Sequence, residues 1–205
     1  MFAPAVTWLP TGFAALDHLL GGGWPRGLLT ELLVSGHGSG EFGLLSPALA
    51  RLTTLSPPPS TPPSTPLAAG GRVLLIAPPW IPYGPGLCWQ GFALNQVLIV
   101  SVGQPLEALW AMEEALRSGS CTSVIAWVGA RATERAGHSL LQRLHLLAGR
   151  QKAWAVLIRE ARFRRERSPV RLRLELRCPS PATLQIEIFK NGWRGAGTVT
   201  VERRF

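Results

Sequence analysis

The sequence has no long apolar run and few cysteines, and both absences limit the class of protein to which the chain can belong. No stretch reaches the roughly 18 apolar residues that a membrane-spanning helix needs, and the N-terminus lacks the basic start and apolar core of a secretory signal. The 3 cysteines are isolated, and the 4 histidines do not join them at zinc-site spacing. We therefore expect a reduced, cytoplasmic protein with no bound metal and no membrane contact.

Acidic residues are also scarce, since 12 Asp and Glu stand against 21 Lys and Arg, for a net charge of +9. The surplus is uneven: from Arg159 onward, 12 basic residues are opposed by 5 acidic ones. Such a surplus points to an acidic partner, either nucleic acid or an acidic protein surface. The alternative is a solvated sheet edge that arginine keeps soluble, and the sequence leaves both open.

Apolar runs and helical patterns alternate along most of the chain. Strands are predicted over 28–34, 72–77, 96–102, 123–128 and 154–158, and helices over 12–20, 41–52, 105–119 and 139–150. Strands that alternate with helices predict a parallel α/β sheet with right-handed crossovers. The runs 72–77 and 96–102 are typical of strands covered on both faces. Thr11 is the predicted cap of the first helix, and Leu106, Leu109 and Trp110 are predicted to face the core.

The end of the chain has a different pattern. Residues 170–177, 183–189 and 198–202 alternate apolar and polar side chains, which predicts antiparallel strands with one solvated face that carries much of the basic surplus. A Pro-, Ser- and Thr-rich insert over 56–66 predicts an extended surface loop. We expect one domain over 1–205: a mostly parallel sheet flanked by helices, extended by an antiparallel meander within the basic part, 159–205.

A Gly-rich loop follows the first long apolar strand and precedes a helix, as in phosphate-binding loops. It consists of Ser35, Gly36, Gly38, Ser39 and Gly40, and continues with Glu41 and Phe42. Phosphate loops place Lys and then Ser or Thr at the last two positions, to neutralise phosphate and hold magnesium. A carboxylate there repels phosphate instead, so we expect no nucleotide binding, no catalytic residue and no cofactor. Glu41 is predicted to complement the helix dipole and Phe42 to join the core.

The stretch "TGFAALDHLLGGGWPRGLLTELLVSGHGSG" resembles the opening of the RecA-type ATPase core, and the similarity extends to the end of the chain. "SVIAWVG" takes the place of the strand that ends in a metal-binding Asp, here Trp127. "LLIAPPW" takes the place of the strand that ends in a catalytic Glu, here Pro78 and Pro79. "IEIFKNGW" keeps a Lys-Asn pair as Lys190 and Asn191. The resemblance implies a RecA-like fold that has lost the polar groups of the ATPase.

Two further stretches, "LLIAPPWIPYGPGL" and "EALWAMEEALRSGSCTSVIAWVGA", resemble the ImuA family of translesion-synthesis-associated proteins. That resemblance implies a non-catalytic member of an inducible mutagenic replication complex of the SOS response to DNA damage, nucleoid-associated when assembled. The implied partners are an ImuB-like inactive polymerase homologue, RecA and an error-prone polymerase of the alpha type. Two alternatives remain: a SulA-like cell-division inhibitor that binds FtsZ, and a RecA paralogue that binds DNA or ATP.

Two segments are candidate contact surfaces. Residues 77–87 carry Trp80, Ile81 and Tyr83 among prolines, and form either a stiff interface anchor or a loop folded over the nucleotide pocket. Residues 162–169 lie where RecA proteins have a DNA-contacting loop, and could contact the DNA backbone or an acidic partner. The basic residues predicted to make such contacts are Arg162, Arg164, Arg165, Arg167, Lys190 and Arg194. Trp127 and Trp154 are interpreted as core packing residues.

Overall fold

The computed structural model describes residues 7–36, 38–54 and 71–203, except for the side chains of 130–136, so the predicted loop over 56–66 lies outside the described residues. The strands are β1 (Thr7–Leu9), β2 (Trp24–Arg26), β3 (Leu29–Val34), β4 (Val73–Ile76), β5 (Val97–Val100), β6 (Ser123–Trp127), β7 (Trp154–Glu160), β8 (Leu172–Ser180), β9 (Thr183–Asn191) and β10 (Gly197–Glu202). The helices are α1 (Ala14–Leu20), α2 (Glu41–Thr54), α3 (Gly84–Trp89), α4 (Pro105–Ser118) and α5 (Ala130–Gln151).

One mixed sheet organises the chain, in the strand order β10-β9-β8-β3-β7-β6-β4-β5. All neighbouring pairs from β8 to β5 are parallel, whereas β8 with β9 and β9 with β10 are antiparallel. A small antiparallel pair, β1 with β2, lies apart from this sheet. The predicted α/β class, a mostly parallel sheet with antiparallel strands at its C-terminal end, is therefore confirmed.

Two apolar cores lie on opposite faces of the sheet. One face packs against α1 and α2, and α2 contributes Leu44, Leu45 and Leu49. The other face packs against α4 and α5. Strand β4 alternates between them, because Leu75 joins the first core and Leu74 the second. Within the described part of the chain, no helix combines the length and the apolar character that crossing a membrane requires.

Helix α4 begins and ends as predicted, but α1 does not. Pro105 opens α4, and Gly119 closes it in the left-handed conformation at φ 65°. Helix α1 has Phe13 at its N-cap, so the prediction that Thr11 caps it is wrong. Thr11 lies two residues before this N-cap and bonds to it: its hydroxyl oxygen accepts a hydrogen bond from the Phe13 amide. The Thr11 amide donates a hydrogen bond to the Asp17 carboxylate.

Two predictions of burial are wrong near the β5 edge of the sheet. Leu106 and Trp110 are exposed on α4, whose buried side is formed by Ala108, Leu109, Met112 and Leu116. Strand β5 is not covered on both faces, because it is the outer strand and both Leu98 and Ile99 are exposed. Apolar character alone does not report whether a strand has neighbours on both sides.

The solvated face predicted for 170–177 is also wrong in its middle, where Arg173 and Glu175 are buried. The cover is the short 3-10 helix Ala161–Arg165, whose Phe163 carbonyl accepts a hydrogen bond from Arg173 at 2.9 Å. Beneath it, the fully buried carboxylate of Glu31 on β3 pairs with Arg173 and, at 2.7 Å, with Arg159. Part of the basic surplus, Arg159 and Arg173, is therefore used inside the fold.

We predict that Glu31→Gln lowers the free energy of unfolding by about 3 to 5 kcal/mol, because it leaves two buried guanidinium groups without their shared counter-charge. The matched control is Glu202→Gln on the exposed edge strand β10, which should change stability by less than about 0.5 kcal/mol. Urea unfolding followed by tryptophan fluorescence measures both. Equal effects of the two substitutions would show that the buried ion cluster does not hold β3, β7 and β8 together.

Candidate functional site

The Gly-rich loop follows the carboxyl end of β3, and β3 lies between the parallel strands β7 and β8. This is the edge of a parallel sheet at which ligands commonly bind. Gly38 and Gly40 have φ angles of 80° and 94°, a left-handed conformation that favours glycine. The Ser39 hydroxyl donates to the Gly36 carbonyl at 2.5 Å. The loop therefore makes the tight turn that its sequence predicts.

Glu41 closes this turn from within. Its Oε1 accepts a hydrogen bond from the Gly38 amide at 3.0 Å, and the side chain is only 3% exposed in the first turn of α2. A carboxylate at this position is favourable because the N-terminus of a helix carries partial positive charge. Phe42 stacks on Phe92 with 6.2 Å between ring centroids, and packs against the core as predicted. The Gly38 amide is thus satisfied by the chain itself.

A cavity of about 340 Å³ opens beside the loop. It is bounded by the loop, by the start of α2, by α3, by the segment that follows β4 and by the last residue of β6. The residues around it are mostly apolar: Gly38, Gly40, Glu41, Phe42, Gly43, Pro78, Pro79, Trp80, Pro82, Tyr83, Gly86, Leu87, Gln90, Trp127 and Arg203. Among the described residues around it, the charged ones are Glu41 at the loop and Arg203 just beyond β10.

The segment 77–87 lies against the cavity, in agreement with one of the two interpretations that the sequence left open, and the other, an interface anchor, stays a prediction. Its prolines and aromatic residues form one wall of the cavity, with the Trp80 ring placed close to Gly38. The same segment exposes 72% of Trp80, 84% of Ile81 and 74% of Tyr83. Ala77, at its start, has a positive φ of 51°, a strained conformation for a residue with a side chain. The segment covers the cavity and presents an apolar outer surface.

Two buried polar atoms of the cavity residues have no hydrogen-bond partner within the described structure. They are Glu41 Oε2 and Trp127 Nε1, an acceptor and a donor. An unsatisfied buried polar atom costs about 1 to 3 kcal/mol, and such atoms are rare in folded proteins. Trp127 is a packing residue of β6, as predicted, but it also lines the cavity.

Part of the basic segment is committed to ion pairs. Arg164 binds both Glu175 and Glu187, and these hydrogen bonds, that of Glu187 foremost, raise the pKa of its guanidinium. Arg162 pairs with Glu160 at 3.1 Å. Arg165 and Arg167 are exposed, and neither has an ion-pair partner among the described residues. These two arginines are the best placed in the segment to meet an outside partner.

The other two predicted contact residues, Lys190 and Arg194, are exposed and donate to backbone carbonyls. Lys190 Nζ donates to the Ser168 carbonyl at 2.6 Å, and Arg194 to the His18 carbonyl at 3.3 Å. Neither approaches the cavity. The predicted contact residues therefore divide into an aromatic group at the cavity and a basic group on the β8–β9 side of the sheet.

Sequence reasoning missed two features of the site. No pattern predicted α3, which contributes Gly86 and Leu87 to the cavity and exposes 94% of Trp89 at its end. Arg203 lines the cavity although it is distant from the Gly-rich loop in sequence. Its position there is determined by the pairing of β9 with β10. A usable signal did exist for α3, because Pro85 stands at its first turn.

Fold and site together define an α/β protein in which a Gly-rich loop is closed by its own carboxylate beside an apolar cavity. No protein-family model matches the chain, and no curated protein matches it. Among the residues that the structure describes, no cluster of three or more His, Cys, Asp or Glu side chains could hold a metal ion.

We predict that Gly40→Ala destabilises the protein by about 2 kcal/mol, through its positive φ and a steric overlap. A Cβ at residue 40 would lie 2.5 Å from Leu184 Cδ2 on β9. Gly36→Ala is the matched control within the same loop, since a Cβ there meets no atom within 4 Å. Thermal unfolding compares the two variants. A silent Gly40→Ala would show that the loop is not held against β9.

Proposed function

We propose that the chain is a non-catalytic, RecA-like adaptor of an inducible mutagenic translesion synthesis complex, acting through protein–protein contacts. In this proposal it works in the cytoplasm and at the nucleoid when assembled. Its partners are an ImuB-like inactive polymerase homologue, RecA and an error-prone polymerase of the alpha type. The basis for the family is the sequence resemblance described above.

One observation carries the non-catalytic part of the proposal. The positions at which the resemblance expects the polar groups of an ATPase lie around a single cavity. They are Glu41 for the lysine, Phe42 for the hydroxyl, Trp127 for the metal-binding Asp, and Pro78 with Pro79 for the catalytic Glu. Substitutions scattered over the surface would be weak evidence for a non-catalytic protein. Replacements that share one cavity are stronger evidence, because they change the chemistry of a whole site.

Electrostatics at the loop supports the same conclusion. A phosphate in the turn would have to displace the Glu41 carboxylate from the Gly38 amide, which it binds at 3.0 Å. At about 4 Å and an effective dielectric constant near 20, the repulsion between two unit charges is roughly 4 kcal/mol. In the described part of the chain, Arg203 is the cation that lines the cavity, and it lies just beyond β10, distant from the loop in sequence. The site therefore favours a ligand that is not a phosphate.

The exposed part of 77–87 is the proposed docking surface. Trp80, Ile81 and Tyr83 stand among prolines that restrict the backbone, so little conformational entropy is lost on binding. Aromatic residues in such settings are common hot spots of protein interfaces. The second proposed surface is basic and centres on Arg165 and Arg167, which suit an acidic partner or the phosphate backbone of DNA.

We predict that the double variant Trp80→Ala/Tyr83→Ala weakens binding to the purified ImuB-like partner by about 30-fold or more, as expected when hot-spot residues are truncated. Trp110→Ala is the control, since Trp110 is also an exposed tryptophan but lies on α4. It should change affinity by less than about threefold. Calorimetry or surface plasmon resonance measures all three proteins.

Two results would contradict the proposal. If the wild-type protein binds FtsZ and does not bind the ImuB-like partner, the cell-division alternative is correct. If it hydrolyses ATP above background and Gly40→Ala abolishes the activity, the chain is an ATPase and the non-catalytic assignment fails.

A further inference from the structure

We propose that strand β5 pairs with β5 of a second copy of the chain, so that two sheets join into one across a two-fold axis. Strand β5 is an outer strand: β4 lies on one side of it, and no strand of the described part of the chain lies on the other. An unpaired outer strand is a template for pairing with another chain, and proteins commonly block such edges with charges or proline. Such a dimer goes beyond the adaptor function and does not depend on it.

The backbone of β5 presents hydrogen-bonding groups to its open side. The Val100 carbonyl accepts a hydrogen bond from the Ala77 amide at 2.8 Å, so the backbone groups of Val100 point toward β4. Because these directions alternate along a strand, the N–H and C=O groups of Val97 and Ile99 point away from β4. In an antiparallel pair, two residues that point toward each other exchange both of their hydrogen bonds. Strand β5 therefore has the donors and acceptors needed to pair with its own copy.

The two outer strands of the sheet expose different kinds of side chain. Strand β10 exposes Thr198, Thr200 and Glu202, all of them polar. Strand β5 exposes 43% of Leu98 and 40% of Ile99, and all four of its residues are apolar. Apolar and β-branched side chains stabilise one another when they lie opposite each other on paired strands. The β10 edge is thus suited to solvent, whereas the β5 edge is suited to another apolar strand.

The absence of charge around β5 favours a second copy over a different partner. Residues 73–106 include no Asp, Glu, Lys, Arg or His, in a chain that is 16% charged. In a two-fold symmetric contact, each residue near the axis meets its own copy, so a charge there would meet a like charge. A strand that pairs with itself must therefore be neutral. Contact with a different partner has no such requirement, because opposite charges on the two proteins could be matched.

The basic surplus of the chain does not prevent this pairing. It lies within 159–205, whose strands β8, β9 and β10 form the other end of the sheet. With the two β5 strands in contact, the two β8 strands would lie roughly 50 Å apart, at about 4.8 Å for each strand spacing. This separation is several times the Debye length of about 8 Å at physiological salt. Repulsion between the two basic ends is therefore largely screened.

The test measures the mass of the whole chain by sedimentation equilibrium at micromolar concentrations, with a lysine placed on either edge of the sheet. We expect the wild-type protein to be a dimer and Ile99→Lys to weaken dimerisation by at least about 100-fold, because like charges then meet near the axis. Thr200→Lys is the matched control on β10 and should leave the dimer unchanged. An equimolar mixture of Ile99→Lys and Ile99→Glu should dimerise again, since opposite charges then meet.

A monomeric wild-type protein, a mass that keeps growing with concentration, or an Ile99→Lys variant that stays dimeric overturns the two-fold pairing and leaves the adaptor function standing. A mixture of the two Ile99 variants that stays monomeric also overturns it, as does dissociation of Thr200→Lys. Hydrogen exchange of the wild-type protein remains decisive if the Ile99 variants do not fold. The Ile99 amide should exchange more slowly as protein concentration rises, and a rate independent of concentration overturns the proposal.

Discussion

The hydrogen bond from the Gly38 amide to the Glu41 carboxylate, 3.0 Å long, is the interaction on which the site depends. It supplies from within the chain the negative charge that a Gly-rich turn at a helix N-terminus otherwise takes from a ligand. The turn can therefore keep its shape without phosphate. The adjoining cavity keeps mostly apolar walls.

Ion pairing takes up part of the basic surplus. Toward β8 and β9, arginines and glutamates pair with one another, so that Arg159, Arg164 and Arg173 are structural rather than free. A net charge of +9 therefore overstates the basic surface that a partner would meet. Toward β5, the exposed side chains include the apolar Leu98 and Ile99 of the open edge strand. These features fit the proposed adaptor, with one apolar and one smaller basic contact surface.

Local patterns predicted the strands and helices of the main sheet, because apolar runs or alternation indicate strands and a spacing of three to four residues indicates helices. Pro105 and Gly119 bound α4 as their backbone preferences require. The patterns did not predict β1, β2 or α3. They did not predict the burial of Arg173 and Glu175, because alternation reports that a face is polar and not what covers it. The cover, a short 3-10 helix with Phe163 inside, comes from another segment of the chain. The Gly-rich loop and the glutamate at its seventh position, Glu41, were visible in the sequence. The meeting of Trp127, Pro78 and Arg203 around one cavity required the folded structure.

The loop amides provide the most direct test of the central claim, that the chain's own carboxylate holds the position of a phosphate. The measurement is the ¹H–¹⁵N spectrum of the wild-type protein and of Glu41→Gln, compared at the Gly38 amide. The account predicts that the Gly38 signal moves upfield in the proton dimension in Glu41→Gln, because a hydrogen bond to a charged acceptor becomes one to a neutral acceptor, while the Gly36 signal stays in place. A Gly38 signal that is insensitive to the substitution would contradict the account.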